Sequence, residues 1–137
     1  MHTQNHITMS KMSFNAEYRN DKGSSMKVYL ELYKFKEDKA HIIYCPSLDL
    51  SAYGQTDEEA RKGFSDVFGA YINYCMSKKT LVDDLKKYGW SVKSMSQKKM
   101  KAPSSKDLLP TNKTLQDIIY NKEYEKVGEC VEIPSLV

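Results

Sequence analysis

The sequence predicts an α+β domain: a three- or four-stranded, mainly antiparallel sheet packed against one long helix, with a short second helix and a C-terminal strand. Apolar side chains alternate with polar and aromatic ones from Met26 to Phe35, which is typical of a half-buried strand. At Gly54 the period changes, and apolar residues recur at helical spacing from Ala60 to Met76. The 137 residues suffice for one domain with a single core.

Three strands open the predicted sheet, over residues 26–35, 41–45 and 48–53. One face of the first strand carries the apolar residues Val28, Leu30 and Leu32. Pro46 ends the regular pairing of the second strand because proline has no backbone N–H to donate. The three strands together form an antiparallel meander.

Two helices follow the meander. Thr56 is placed to cap the long helix, and Glu59, three residues later, completes a capping box. A shorter helix begins at Thr80 and ends before Gly89, where we expect a left-handed backbone conformation. Residues 90–92 then form a return strand.

The remaining residues predict a connector, a short helix and a strand. Residues 94–105 are rich in lysine and form a flexible connector or an exposed arm. An apolar side from Thr114 to Tyr120 indicates a short helix. In the strand over residues 127–133, Glu129 shares a face with apolar residues, so we expect this strand at the edge of the sheet.

These elements divide the chain into three parts. Residues 1–25 form an N-terminal extension that can add a strand to the sheet. Residues 26–93 form the α+β domain itself. Residues 94–137 form the lysine-rich connector and the C-terminal tail, with the short helix and the last strand.

Composition limits the cellular context. The net charge of +3 permits contact with nucleic acid but does not require it. Three cysteines without a Cys-x-x-Cys pair indicate a reduced, intracellular protein. The N-terminus lacks a signal-peptide pattern, and no segment approaches the roughly 18 apolar residues that cross a bilayer. We therefore expect a soluble, cytoplasmic protein with no membrane partner.

No catalytic site, metal site or cofactor is predicted. The carboxylates that metal-assisted hydrolysis would need are Glu31, Asp49, Glu58 and Glu59. The helix start explains the last two, and a solvent-facing strand position explains Asp49. A thiol nucleophile needs a histidine base, but Cys45 and His41 are better explained as a strand pair with one packed thiol. Cys75 lies on the apolar stripe of the helix and belongs to the core.

A pattern of fixed spacing joins the meander to the long helix. Its residues are Pro46, Leu48, Gly54, Thr56, Glu58, Glu59 and Ala60. Together with the apolar helix that follows, the pattern resembles the HicB-type antitoxin domain over about residues 28–90. The resemblance implies a small fold like a truncated RNase H, without the catalytic carboxylates of that enzyme.

The same resemblance implies a function. Members of such families neutralise a small RNA-cleaving toxin, and many also carry a C-terminal segment that binds DNA. Residues 94–137 show neither a helix-turn-helix nor a ribbon-helix-helix pattern. We therefore expect a non-catalytic binding protein that occludes a small protein partner and forms a homo-oligomer through its sheet edge or its tail.

Two sets of residues are candidates for partner binding. Because tyrosine is enriched at interfaces, one set is the sheet face with Tyr29, Tyr33, Tyr44 and Tyr53. The alternative is that these tyrosines pack beneath the N-terminal extension or the C-terminal tail. The second set is the lysine-rich arm near Trp90, with Lys98, Lys99 and Lys101 as nucleic-acid contacts. Its alternative is a connector with solvated charges.

Overall fold

An antiparallel sheet with a long helix on one face gives this chain the α+β fold that the sequence predicts. The computed structural model describes residues 7–9, 14–15, 25–94 and 99–134. The strands are β1 (Ile7–Met9), β2 (Phe14–Asn15), β3 (Ser25–Glu37), β4 (Ala40–Cys45), β5 (Leu50–Gly54), β6 (Ser91–Ser94), β7 (Lys99–Lys101) and β8 (Tyr124–Pro134). The helices are α1 (Asp57–Lys78), α2 (Leu81–Lys87), α3 (Ser105–Leu108) and α4 (Lys113–Asn121). Among the described residues, no helix is long and apolar enough to span a membrane.

The main sheet has the strand order β1-β8-β3-β4-β5, and β2 also pairs with β8. Strands β8, β3, β4 and β5 are antiparallel neighbours, whereas β1 and β2 of the N-terminal extension run parallel to β8. Strand β8 therefore lies inside the sheet, with β3 on one side and the two short strands on the other. The prediction that it forms an edge is wrong.

Long-range pairing explains the error. On one face of β8, Glu129 lies between apolar residues, and this mixture led to the prediction of an edge strand. Val127, Glu129 and Val131 are all buried, so this face belongs to the interior. The outer neighbour of β8 begins at Ile7, which pairs with Lys126 from the far end of the sequence. Such pairing leaves no local pattern in the sequence.

Helix α1 packs on one face of the sheet, which we call the helix face. The side chains of the sheet that define this face include Val28, Leu30, Leu32 and Ile43. Helix α1 contributes buried residues at helical spacing: Ala60, Phe64, Phe68, Ile72, Cys75 and Met76. This arrangement confirms the apolar stripe that the sequence predicts, and it forms the main core.

The start of α1 is capped as predicted, with one shift. The Thr56 hydroxyl accepts a hydrogen bond from the Glu59 N–H at 3.1 Å. The Glu59 carboxylate accepts from the N–H of Gln55 at 2.9 Å, one residue before the expected partner. A Cβ on Gly54 would lie 2.6 Å from the backbone nitrogen of Ala60, so only glycine lets the strand turn into the helix here.

The described end of the connector, residues 99–105, contains regular structure that the sequence does not indicate. Gly89 has the expected left-handed conformation, with φ of +92°, directly after α2. The return strand, β6, pairs with β7 in a separate two-stranded hairpin instead of joining the main sheet. Met100 of β7 packs against the main core, so this hairpin is anchored to the domain.

Helices α3 and α4 lie on the opposite face of the sheet, which we call the tail face. Leu115 and Ile118 of α4 are fully buried and pack with Tyr33 and Tyr44 of the sheet. Helix α4 confirms the short helix predicted in the tail. We call residues 104–121, which include both helices and the loop between them, the cover.

Candidate protein-binding surface

Strand register aligns a row of apolar side chains across the tail face. Phe35 of β3 lies opposite Tyr124 of β8 on one side and opposite Ile42 of β4 on the other. Ile42 in turn lies opposite Tyr53 of β5. Directly opposed residues of antiparallel strands share a face, so the four side chains form one continuous row. We call these four residues the end row.

The two halves of the end row differ in exposure. Phe35 and Tyr124 are partly buried because they pack against the cluster beneath the cover. Ile42 is also only partly buried, and Tyr53 is 76% exposed on the outermost strand of the described sheet. The half formed by Ile42 and Tyr53 therefore presents apolar and aromatic surface to solvent, a composition favoured at protein interfaces.

Charges of both signs border the end row. Three residues of the row, Phe35, Ile42 and Tyr124, line a groove of about 1010 Å³, and the exposed Lys36 and Glu123 line it as well. Lys34 and Asp57 also line the groove; their charged groups lie 2.8 Å apart on the helix face, where Lys34 of β3 meets the first turn of α1. Nucleic acid requires an excess of positive charge, whereas this mixture suits a protein surface that carries both signs.

Two of the four predicted tyrosines, Tyr33 and Tyr44, are only 2% and 4% exposed. They pack beneath the C-terminal tail, the alternative that the sequence leaves open. Burial raises the pKa of the Tyr44 phenol. Its hydroxyl donates to the Asp49 carboxylate at 2.7 Å and accepts from the side-chain amide of Asn112 at 3.0 Å. Asn112 is the N-cap of α4, so Tyr44 holds the cover in place.

Tyr29 lies apart from the end row. Its ring is 44% exposed and lies over Gly128 of β8, where a Cβ would come within 2.6 Å of a ring carbon. Six residues along β3 separate Tyr29 from Phe35, a distance of about 20 Å in an extended strand. The structure therefore brings Tyr53 into the end row and leaves Tyr29 at the other end of the tail face.

The lysine-rich arm is described only in part. Lys98 lies outside the described residues, Lys99 begins β7, and Lys101, which ends that strand, is exposed. Trp90 is buried, and its indole N–H donates to the carbonyl of Ser47 at 2.8 Å. Trp90 is therefore not available to stack on a base.

Glu31 fastens the cover to the sheet. One of its carboxylate oxygens accepts from both the N–H and the hydroxyl of Ser105, each at 2.7 Å. The other lies 3.3 Å from the ammonium of Lys126. Burial acts to raise the pKa of Glu31, but the Ser105 hydrogen bonds and Lys126 outweigh it and hold that pKa below its usual value.

The other three carboxylates have structural positions. Asp49 lies in the turn between β4 and β5, not on a strand, and has a left-handed backbone with φ of +53°. Glu58 and Glu59 lie in the first turn of α1, as predicted. No group of three His, Cys, Asp or Glu residues that could hold a metal occurs in the described part of the chain.

The thiols considered as nucleophiles are buried. Burial raises the pKa of Cys45 to about 11, so its thiol is protonated at neutral pH. His41 is four residues away on the same strand, or about 13 Å along an extended chain. The thiol of Cys75 donates to the carboxylate of Asp84 at 3.2 Å.

Sequence reasoning missed the residues that attach the cover. Asn112 precedes Leu115 by three residues, and its side-chain oxygen accepts from the Leu115 N–H at 2.9 Å. This spacing is a local capping signal that the sequence carries. The contacts of Asn112 with Tyr44 and of Ser105 with Glu31 join distant parts of the chain, so no local signal announces them.

No protein-family model, curated protein or solved structure matches this chain. The resemblance to the HicB-type domain therefore stays a prediction that rests on the junction residues from Pro46 to Ala60. The function has to be argued from the surfaces described above.

Proposed function

We propose that this protein is a non-catalytic binding protein that resembles HicB-type antitoxins and neutralises a small protein partner by occlusion. A small RNA-cleaving toxin is the partner that the resemblance implies. The proposed place of action is the cytoplasm, where the cysteines stay reduced.

The end row is the observation that carries this proposal. Ile42 is partly exposed and Tyr53 is largely exposed on neighbouring antiparallel strands, and the groove that Ile42 lines carries charges of both signs. Rigid aromatic side chains lose little entropy on binding and often dominate the affinity of an interface. A partner seated on this row is sequestered without any chemical step.

The test is binding of the product of a small basic reading frame beside this gene. We expect the two proteins to co-purify and the toxicity of the small protein to be relieved by co-expression. The double substitution Ile42→Ala and Tyr53→Ala should weaken the complex by roughly 30-fold or more, the effect of losing an interface hot spot. Binding is measured by isothermal titration calorimetry.

The matched control for the end row is Tyr74→Ala. Tyr74 is 62% exposed on α1, away from the tail face, so its loss should leave the affinity unchanged. An isolated gene without such a neighbour, or equal affinities for the end-row and control variants, would contradict the proposal.

A homo-oligomer that assembles through strand β5 or the tail is also proposed. The outer position of β5 in the described sheet supports it, because an edge strand offers backbone groups for pairing. Light scattering on the purified chain tests this assembly, and a monomer at all concentrations would contradict it.

The alternative function is a nucleic-acid-binding regulator that uses the lysine-rich arm. The exposed position of Lys101 on the β6–β7 hairpin is the observation that favours it. This alternative predicts salt-sensitive binding that weakens when Lys98, Lys99 and Lys101 are replaced by glutamine. Absence of binding at low salt would exclude it.

A further inference from the structure

The cover and the tail face form a hydrophobic cluster separate from the main core. Tyr33, Tyr44, Leu115 and Ile118 are its buried members, and none of them belongs to the cluster that α1 closes. The sheet lies between the two clusters. The two clusters share no buried side chain, so we expect the packing of α1 against the helix face to survive loss of the cover.

Polar contacts make up much of the attachment of the cover. Ser105 donates twice to Glu31, and Asn112 donates to the hydroxyl of Tyr44. Directly after the cover, the ammonium of Lys122 lies 2.8 Å from the carboxylate of Glu37. Water can replace each of these contacts when the cover leaves, so no polar group is stranded in an apolar environment.

The fit between the cover and the sheet is incomplete. A cleft of about 340 Å³ lies between them, bordered by Leu109 and Ile119 of the cover and by Tyr33, Tyr124 and Lys126 of the sheet. The cleft opens to solvent beside the exposed Lys106. The tail face therefore has room for apolar side chains that α4 does not supply.

We propose that the cover is displaceable and that the tyrosine face beneath it is a second binding surface, for an amphipathic helix of a partner protein. Helix α4 itself shows what the surface accepts. Its apolar residues Leu115, Ile118 and Ile119 follow the i, i+3, i+4 spacing with which helices dock into grooves. The inference rests on the proposed function only in that the protein binds a protein partner.

The side chains of the tail face indicate which residues the partner helix should carry. The rings of Tyr33 and Tyr124 lie with their centroids 5.4 Å apart and form an aromatic floor for leucine or isoleucine side chains. A longer aliphatic or aromatic residue at the next turn of the partner helix fills the cleft that α4 leaves. A serine or threonine before the helix supplies the donor that Glu31 accepts from Ser105.

Hydrogen exchange on the wild-type chain tests whether the cover opens by itself. We expect the amides of α4 to exchange at least about tenfold faster than those of α1, through an opening that low urea concentrations do not accelerate. Exchange of α4 at the same rate as α1, with the urea dependence of global unfolding, would overturn the proposal. This measurement needs no variant and no partner.

A labelled synthetic peptide of residues 104–121 tests the surface itself. It should bind saturably to a Leu115→Ala, Ile118→Ala variant, whose own cover is weakened, and at least about tenfold more weakly to the wild-type chain. Adding Tyr44→Phe should reduce this affinity about fivefold because one hydrogen bond is lost. Adding Tyr74→Phe, on the exposed side of α1, should change nothing.

The outcomes separate this inference from the proposed function. No saturable binding of the peptide to a variant that keeps its circular dichroism spectrum would overturn the second surface, while binding of the natural partner at the end row would be untouched. Loss of partner binding at the end row, with peptide binding intact, would instead overturn the proposed function and leave this surface standing.

Discussion

The two faces of the sheet are covered by helices that differ greatly in their numbers of buried residues. On the helix face, seven of the 22 residues of α1 are buried. On the tail face, the nine residues of α4 bury two, Leu115 and Ile118. Packing on the helix face holds the main core together. The tail face is covered by a helix that, in our proposal, a partner helix can replace.

The free energies of burial also differ between the two helices. Burying a large apolar side chain contributes about 1.5–3 kcal/mol, so Phe64, Phe68, Ile72 and Met76 of α1 contribute roughly 6–12 kcal/mol. The two buried residues of α4 contribute roughly 3–6 kcal/mol by the same rule. We therefore expect the cover to open under conditions in which the main core stays folded.

The largest expected effect is on the helix face. Phe64→Ala should lower the free energy of unfolding by about 3–5 kcal/mol, because a fully buried ring leaves a cavity. Urea denaturation followed by the fluorescence of Trp90, the single tryptophan, measures it. Tyr74→Ala on the exposed side of the same helix is the control and should stay within about 0.5 kcal/mol of wild type. Equal losses would show that the stripe does not hold the sheet.

A pair of N-cap substitutions, one in α1 and one in α4, tests whether the two faces of the sheet open independently. Thr56→Ala removes the N-cap of α1 and should cost about 1 kcal/mol. Asn112→Ala removes the N-cap of α4 together with the hydrogen bond to Tyr44, so it should cost about 2 kcal/mol. Only Asn112→Ala should accelerate hydrogen exchange in α4, by about fivefold or more, because only it weakens the cover. If Thr56→Ala accelerated α4 equally, the two faces would open together and the comparison would fail.

The smallest effect is the response of the cover to acid. The pKa of Glu31 is lowered from 4.5, so the contact with Ser105 is fully present above that pH and is lost as the pH falls through the lowered value. The Ser105 amide resonance should titrate with a midpoint below pH 4.5, and Glu31→Gln should abolish the titration. A midpoint above 4.5 would mean that burial outweighs the hydrogen bonds.

Local patterns predicted the elements that depend on neighbours in sequence. The alternation along β3, the stripe of α1 and its Thr56 cap all follow from residues within one turn or one strand. Even here the detail depends on geometry, since Glu59 reaches the N–H of Gln55 instead of that of Thr56. The strand and helix periods carry this information because they repeat every two or 3.6 residues.

Contacts between distant segments were beyond sequence reasoning. Tyr33 and Tyr44 alternate as exposed strand residues do, and only the arrival of α4 buries them. Glu129 made β8 look like an edge because a carboxylate in an interior strand is rare. In the same way, a row such as Phe35, Ile42 and Tyr53 exists only once the register of three strands is known.

The position of β8 also governs how the protein is made. Pairing of β3 with its second neighbour begins at Tyr124, which lies opposite Phe35, and is complete only at Pro134, which lies opposite Ser25. Until then the apolar faces of β3 and α1 lack the strand that joins them to the N-terminal extension, and pairing over such a distance is slow. A nascent chain therefore keeps one edge of β3 unpaired until β8 has emerged, and unpaired strand edges favour aggregation.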